Sequence, residues 1–355
     1  MRRLVVERAA IKHNLAVIKE RAAGAAIYGV LTGDGGGIGA AALARLLRDE
    51  GIGHFAVSEV SEAEALRGAG FVDEEILMLR STTHRETLER LVDLNVVCTI
   101  SSVDTGMALN ALAENRSTVA EAHIQVDTGM GFGGFLAGEP EKLLLAYRSL
   151  PNVALSGIYT QLHAAQVNDP ACRQQLEQFQ QILEAIHTAG FETGMVHAAG
   201  SFALLHNEEA RLDGVRAGSA ILGRCRRTRG DGLKTVGYGE APLTEVRWLP
   251  KGHTVGTDRP LVLKKPTRVA VLPVGYQNGL TLVRPREEGL WAMLRQWRAT
   301  RRRSVRINGQ RAQILGRVGA NETILNVTGL KCSCGDLAVF DIDPLFARGF
   351  EREFR

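Results

Sequence analysis

Short apolar runs alternate with segments of helical spacing over the first two thirds of the chain. Residues 1–8 read as a strand, and residues 9–23 as an amphipathic helix with Ile11, Leu15 and Ile18 on one side. The run over residues 25–31 is short, continuous and bounded by glycines, as expected of a buried parallel strand, and residues 38–47 return to helical spacing. Later runs centre on Phe55-Ala56-Val57, Ile76-Leu77-Met78-Leu79, Val96-Val97-Cys98, His123-Ile124-Gln125-Val126, Leu155-Ser156-Gly157-Ile158 and Val196-His197. Each precedes a helix candidate, at 61–67, 84–94, 104–112, 139–150, 170–187 and 201–206. Counted from the run at 25–31 this makes seven β-α units, and residues 212–215 can supply an eighth strand. The pattern predicts an α/β fold with a TIM-type (β/α)8 barrel, whose site lies at the C-terminal strand ends.

Past Tyr238 the texture changes to short strand-like segments, at 245–249, 261–263, 269–274, 304–307, 313–315, 322–327 and 337–340. Turn signals such as Pro250-Lys251-Gly252 and Asn308-Gly309 separate them. The expected organisation is a barrel over 9–237 and an all-β domain over 238–355, with residues 1–8 adding the first strand to the β domain. One helix, at 289–297, is expected as an insertion there.

Composition narrows the function without naming it. With 355 residues, 45% hydrophobic and 23% charged, the chain can bury one large core and a second, smaller one. No stretch approaches the ~20 apolar residues that span a membrane. The apolar run after Met1-Arg2-Arg3 is too short for a signal peptide, so a cytoplasmic protein is expected. The five cysteines are odd in number and scattered, and Cys332-x-Cys334 has no second pair at ligand spacing, so neither a disulfide framework nor a metal is expected. The net charge of +4 comes partly from Arg224-Cys225-Arg226-Arg227 and Arg301-Arg302-Arg303. Neither cluster is interleaved with aromatic residues, which favours solvated surface or attraction of anionic substrates over nucleic acid.

Candidate chemistry starts after the first barrel strand, where Gly33, Gly35, Gly36, Gly37 and Gly39 crowd seven residues. Such density brings backbone N–H groups close to an anion at the start of the next helix, or makes a plain flexible turn. The spacing is neither G-x-G-x-x-G nor G-K-[ST].

Further markers follow in order: Val126-Asp127-Thr128-Gly129-Met130-Gly131, His197-Ala198-Ala199-Gly200-Ser201, Val215-Arg216-Ala217-Gly218-Ser219-Ala220-Ile221-Leu222-Gly223, Leu272-Pro273-Val274-Gly275-Tyr276 and Gly316-Arg317-Val318. In this order and spacing, over essentially the whole chain, the sequence resembles the alanine racemases. These are fold type III enzymes that use pyridoxal phosphate (PLP) to make D-alanine for peptidoglycan. The resemblance implies an N-terminal barrel, a C-terminal β domain and a head-to-tail homodimer.

Carried over position by position, the resemblance fails where the chemistry needs it. The lysine that would hold PLP as a Schiff base falls on Thr32, and the opposing tyrosine base falls on Thr257. Two-base racemisation needs a proton acceptor on one face of the α-carbon and a donor on the other, and threonine serves as neither at neutral pH. A tyrosine near the cofactor phosphate is replaced by Gly36, and the arginine after Gly-Met-Gly by Phe132. The lysine before Asp-Thr-Gly is Gln125, the expected histidine is Gln161, and an asparagine ahead of the phosphate-contacting serine is Gly200. A methionine becomes Ala320 and a phosphate-reaching tyrosine becomes Phe354. Features that remain are Ser201, Gly218 and Ser219 of the phosphate cradle, Arg216 of the pyridine contact, and Tyr276 and Arg317 of the substrate entrance.

The expectation is therefore a catalytically degenerate homologue with no confident catalytic residue. PLP would bind only non-covalently, and a small anionic ligand could occupy Gly35–Gly37, Ser201 and Gly218. Two alternatives stand beside it. One is an atypical PLP racemase, for which Lys264-Lys265 is the only lysine pair to nominate. The other is a PLP-independent enzyme using strand-end Asp34, Asp127, His163, His197 and Arg216.

Overall fold

A computed structural model describes all residues except 164–168, 226–230, 257–260, 281 and 283–303. Thr257, the helix expected at 289–297 and Arg301-Arg302-Arg303 lie outside the described residues. Contacts divide the chain into two compact units, 9–235 and 1–8 with 236–355.

The chain opens with β1 (Arg3–Val6) and α1 (Arg8–Ala22), whose Ile11, Leu15 and Ile18 are buried as their spacing predicts. There follow β2 (Ala26–Val30), a single left-handed turn α2 (Thr32–Gly36), α3 (Ala40–Asp49), β3 (His54–Val57), α4 (Val60–Gly68), β4 (Glu75–Met78), α5 (Arg85–Asp93), β5 (Cys98–Ile100) and α6 (Val103–Asn115). The unit continues through β6 (Ala120–Asp127), β7 (Phe135–Leu136), α7 (Pro140–Ser149), β8 (Val153–Thr160), α8 (Pro170–Thr188), β9 (Met195–Ala199), α9 (Ser201–His206) and β10 (Gly214–Ala217).

Eight parallel strands run in the order β4-β3-β2-β10-β9-β8-β6-β5. Only a short ladder closes the ring, through a Leu77–Val97 bridge with Met78 N–H on Val97 O at 2.9 Å and Val97 N–H on Ile76 O at 2.8 Å. The TIM-type barrel inferred from the pattern is thus present. Its helices bury the stripes their spacing marks. On α8 these are Cys172, Gln175, Phe179, Ile182, Leu183 and Ile186, and Asp169 caps the helix by accepting from Ala171 N–H at 3.0 Å. The fifth strand begins two residues later than its apolar run, because Val96 leads into the closing bridge at Val97 rather than a full ladder.

The second unit is all-β, as expected. Nine strands form one sheet in the order β12-β15-β18-β17-β16-β19-β11-β1-β20, where β11 is Tyr238–Pro242, β12 Glu245–Leu249, β15 Thr267–Leu272, β16 Ser304–Ile307, β17 Gln310–Ile314, β18 Thr323–Asn326, β19 Leu337–Phe340 and β20 Glu351–Phe354. A separate hairpin joins β13 (Thr254–Val255) to β14 (Leu261–Val262). Leu249, Val255, Leu263, Val269 and Leu315 form a core cluster with Ile324 against it. Strand β1 lies antiparallel to β11 and parallel to β20, so the first strand does join this sheet. Among the described residues, no helix is long and apolar enough to cross a membrane.

Candidate anion site at the barrel mouth

The turn after β2 is built from φ angles of one sign. Gly33, Asp34, Gly35 and Gly36 have φ of 66°, 55°, 65° and 65°, a left-handed turn that three glycines and an aspartate tolerate and other residues resist. Its amides are already engaged. Glu62 Oε1 accepts from Gly33 N–H at 2.7 Å and Asp34 N–H at 3.3 Å, while Oε2 accepts from Ser58 N–H at 2.9 Å and Glu59 N–H at 3.1 Å. Asp34 Oδ1 accepts from Ala40 N–H at 2.9 Å, the first turn of α3. The anion cradle suggested by the glycine density is therefore served in large part by the protein's own carboxylates. Thr32 stands half-buried at the start of this turn.

Inside the barrel, burial replaces alternation as the governing fact. Arg216 on β10 is 4% exposed and meets no carboxylate among the described residues. Its guanidinium donates to His197 Nδ1 at 2.5 Å, Thr160 O at 2.6 Å and Gln161 Oε1 at 3.0 Å, and lies 5.0 Å from the centre of the Tyr159 ring. A guanidinium only donates, so His197 Nδ1 accepts and its proton sits on Nε2. That proton is donated to His123 Nδ1 at 3.0 Å. Tyr28 and Tyr159 stack on His197, with centroids 5.1 and 4.9 Å away and planes 18° and 19° from parallel. His123 in turn lies over Gly157, where an added Cβ would come within 2.6 Å of its ring.

Desolvation sets the protonation of this stack, with Arg216 adding to it. Burial holds His197 well below the ordinary imidazole range and pushes His123 down to about 4, so both are neutral. Arg216 is lowered by burial to about 10 and remains a cation. Tyr28, raised by burial, donates to Glu75 Oε1 at 2.6 Å.

At the strand ends, Ser201 Oγ accepts from Gly218 N–H at 3.0 Å and Ala220 N–H at 3.2 Å. Gly218 is close-packed, since a Cβ there would sit 3.1 Å from Val30 Cβ, and Ser219 follows it half-buried. Gly36 approaches the same loop: its Cβ would fall 2.6 Å from Leu222 Cδ1. Gln161 continues β8 into the mouth, and a Cβ on Gly200 would lie 3.2 Å from Gln161 Nε2. Two departures from the resemblance, at 161 and 200, thus meet in space.

Other expected positions fall elsewhere. Asp127 Oδ1 accepts from the N–H groups of Gly129, Met130 and Gly131 at 2.8, 3.0 and 3.2 Å, which fixes its own loop. The backbone N–H of His163 donates to Gln175 Oε1 at 2.8 Å. Gln125 is half-buried on β6, and Phe132 is 78% exposed. In the β unit, Tyr276 is half-exposed with its N–H on Gly319 O at 2.9 Å, and Gln277 N–H meets Ala320 O at 3.0 Å. Arg317, Lys264 and Lys265 are exposed there. Phe354 is half-buried on β20 beneath the Arg8 guanidinium, 5.8 Å away. Residues that sequence reasoning passed over include His123, Tyr28, Gln175 and Glu62. The first two lay inside runs read only as strands, although a polar ring within a buried apolar run was the available signal.

Comparison with known proteins places this geometry. The family described as alanine racemase, N-terminal domain, matches residues 6–225, and the alanine racemase C-terminal domain family matches residues 238–345. Alanine racemase of Sorangium cellulosum is 32% identical over 351 residues, covering 95% of this chain and 87% of that protein. The alanine racemase of Desulfosudis oleivorans is 28% identical over 352 residues, covering 95% and 85%. Among solved structures, alanine racemase of Clostridium difficile 630 has a TM-score of 0.87 at 20% identity, covering 100% of this chain and 95% of that one. Alanine racemase from D-cycloserine-producing Streptomyces lavendulae has a TM-score of 0.87 at 21% identity, covering 100% and 97%. With both of its units matched over nearly their whole length, the chain belongs to the alanine racemase family.

Proposed function

We propose that this chain is a member of the family that does not racemise alanine through lysine-held PLP, and that it uses the donors at the barrel mouth to bind a small oxyanion. One observation carries the reading: the strand end that should present an amine presents Thr32, and none of the barrel unit's own lysines lies at a strand end. The barrel unit has four lysines. Lys12 and Lys19 lie on α1 and pair with Glu50, Lys142 on α7 pairs with Glu139, and Lys234 lies beyond β10 with its backbone on Asn14. A hydroxyl cannot condense with an aldehyde to give the imine that an amine gives.

The residues present do not fit a lysine-held cofactor. Besides the missing amine, Gly36 supplies no hydroxyl where the resemblance implies a tyrosine, and a side chain there would have to displace Leu222 Cδ1. What supports an anion site is the donor set. The Ser201 hydroxyl, whose oxygen already takes the amides of Gly218 and Ala220, keeps a proton to donate, and the Arg216 cation is buried in the same barrel. The head-to-tail homodimer implied by the family is part of the same proposal.

The test is direct. Purified protein, with and without added PLP, is assayed for D-alanine from L-alanine, scanned for an absorbance band bleached by borohydride, and titrated with inorganic phosphate. The expected result is no D-alanine, no such band, and saturable phosphate binding weakened by Ser201→Ala. Racemisation at a rate above the no-enzyme control would overturn the proposal.

A further inference from the structure

Gln161 is held through both of its oxygens. Its carbonyl oxygen accepts from Gln175 Nε2 at 3.0 Å, and its side-chain oxygen accepts from Arg216 at 3.0 Å. Gln175 is fixed in turn, donating to Thr128 Oγ1 at 3.2 Å and accepting from His163 N–H. Because Arg216 can only donate, the carboxamide cannot flip: its oxygen faces the guanidinium and its NH2 faces the mouth. Among the described residues, that Nε2 has no acceptor.

The neighbouring turn matches this. Ser201 Oγ already accepts two amides, so its own proton is left to donate. Gly200, between the two groups, adopts φ −85° and ψ −178°, extended backbone open to any residue. Its lack of a side chain is therefore a matter of space: a Cβ would stand 3.2 Å from Gln161 Nε2. Two uncommitted donors thus remain, the Gln161 amide next to Gly200 and the hydroxyl of the following residue, Ser201, the amide backed by the buried Arg216 cation.

We propose that Gln161 is a ligand-contacting, specificity-determining residue of this site, its locked carboxamide donating with Ser201 to a deprotonated oxyanion bearing at least two acceptor oxygens. The inference rests on the oxyanion reading of the mouth and deepens it. Donors alone face the ligand from this side, so a group that must itself donate a proton is disfavoured, and carboxylate or phosphate oxygens are preferred. Arg216 acts through the carboxamide as a positioning residue: the hydrogen bond to its cation polarises the amide and fixes its direction.

Calorimetric titration of the full chain with inorganic phosphate, and in parallel with acetate to separate phosphoryl from carboxylate ligands, tests this on four proteins. Native protein should bind at least one of the two, and Ser201→Ala should weaken it. Gln161→Glu, which turns the outward donor into an acceptor and adds negative charge, should weaken it about tenfold or more, the scale of one charge-assisted hydrogen bond. Gly200→Ala, which leaves every polar group in place and crowds only the carboxamide, should weaken it severalfold. Addition of the ligand should shift the Gln161 side-chain amide resonances, a readout that a merely structural role would leave unmoved. If Ser201→Ala weakens binding while Gln161→Glu and Gly200→Ala bind as the native protein does, the assignment of Gln161 fails and the oxyanion site stands. If the native protein binds neither anion, the oxyanion reading fails and this inference with it.

Discussion

Arg216 donates to Nδ1 of His197 at 2.5 Å, and that contact fixes the tautomer of a buried pair of histidines. Because Nδ1 must accept, the proton of His197 lies on Nε2 and points at His123. Neither ring can gain a second proton without facing the guanidinium or the other ring, and His54 adds to the repulsion at His123. Tyr28, Tyr159, Glu75 and Glu121 complete the titratable groups around the stack.

Stability should therefore fall with acid in a defined window. Burial lowers His123 from 6.5 to about 4, so between those pH values the unfolded chain binds a proton that the fold does not. The contribution is whole above pH 6.5, declines as pH drops through it, and levels off near 4, at about 1.4 kcal/mol per pH unit for one such group. Urea unfolding at a series of pH values measures it. His123→Gln should reduce the slope in this window, and an unchanged slope would refute the assignment.

Replacing Glu62 should loosen the strand-end turn. Its carboxylate accepts from four backbone amides, at Gly33, Asp34, Ser58 and Glu59. Glu62→Ala leaves those donors to water or to one another and should cost about 1–3 kcal/mol. Hydrogen exchange at Gly33 and Asp34 should accelerate more than exchange at β9, whereas uniform acceleration would mean that Glu62 acts on the whole unit.

Gly36→Ala combines two penalties, a left-handed φ of 65° and a Cβ 2.6 Å from Leu222. The expected loss is about 1–3 kcal/mol, and Leu222→Ala in the same protein should recover part of it by removing the clash while retaining the strain. A thermal melt of the single and double variants gives both terms.

Thr32→Lys tests the missing amine from the other side. Incubated with PLP, this variant should acquire a borohydride-bleachable absorbance not expected of the native protein, yet still form no D-alanine, because the position that the resemblance assigns to the opposing tyrosine is Thr257, which has no phenol. D-alanine formation by this single variant would show that another residue serves as the second base.

Much of the architecture was legible in the chain. Alternating apolar runs gave the barrel because parallel strands are buried on both faces, and a run such as Ile76-Leu77-Met78 has no other use. That a threonine, Thr32, follows the first barrel strand was legible too, since it needs only one residue in register. The state of the glycine loop was not. Glycine density reports freedom, whereas the turn's hand and the capture of its amides depend on Glu62, 29 residues from Gly33. Nor could the meeting of Gln161 with Gly200 be read from positions 39 apart on neighbouring strand ends. Arg216 was found by resemblance, and its partners could not be read from the sequence. The structure supplies strand-end carbonyls, a neutral imidazole and a tyrosine ring instead.

The parallel pairing of β1 with β20 has a consequence for how the molecule is made. Arg3 sits opposite Glu351, so a strand that precedes the barrel finds one of its partners only after the whole of the barrel has been made. Emerging from the ribosome, residues 9–235 can collect all their neighbours while the opening segment still waits with its edges bare. The β unit is thus completed after the barrel by necessity of order, and a nascent chain stalled before residue 351 would carry a barrel able to close and a sheet still lacking an edge.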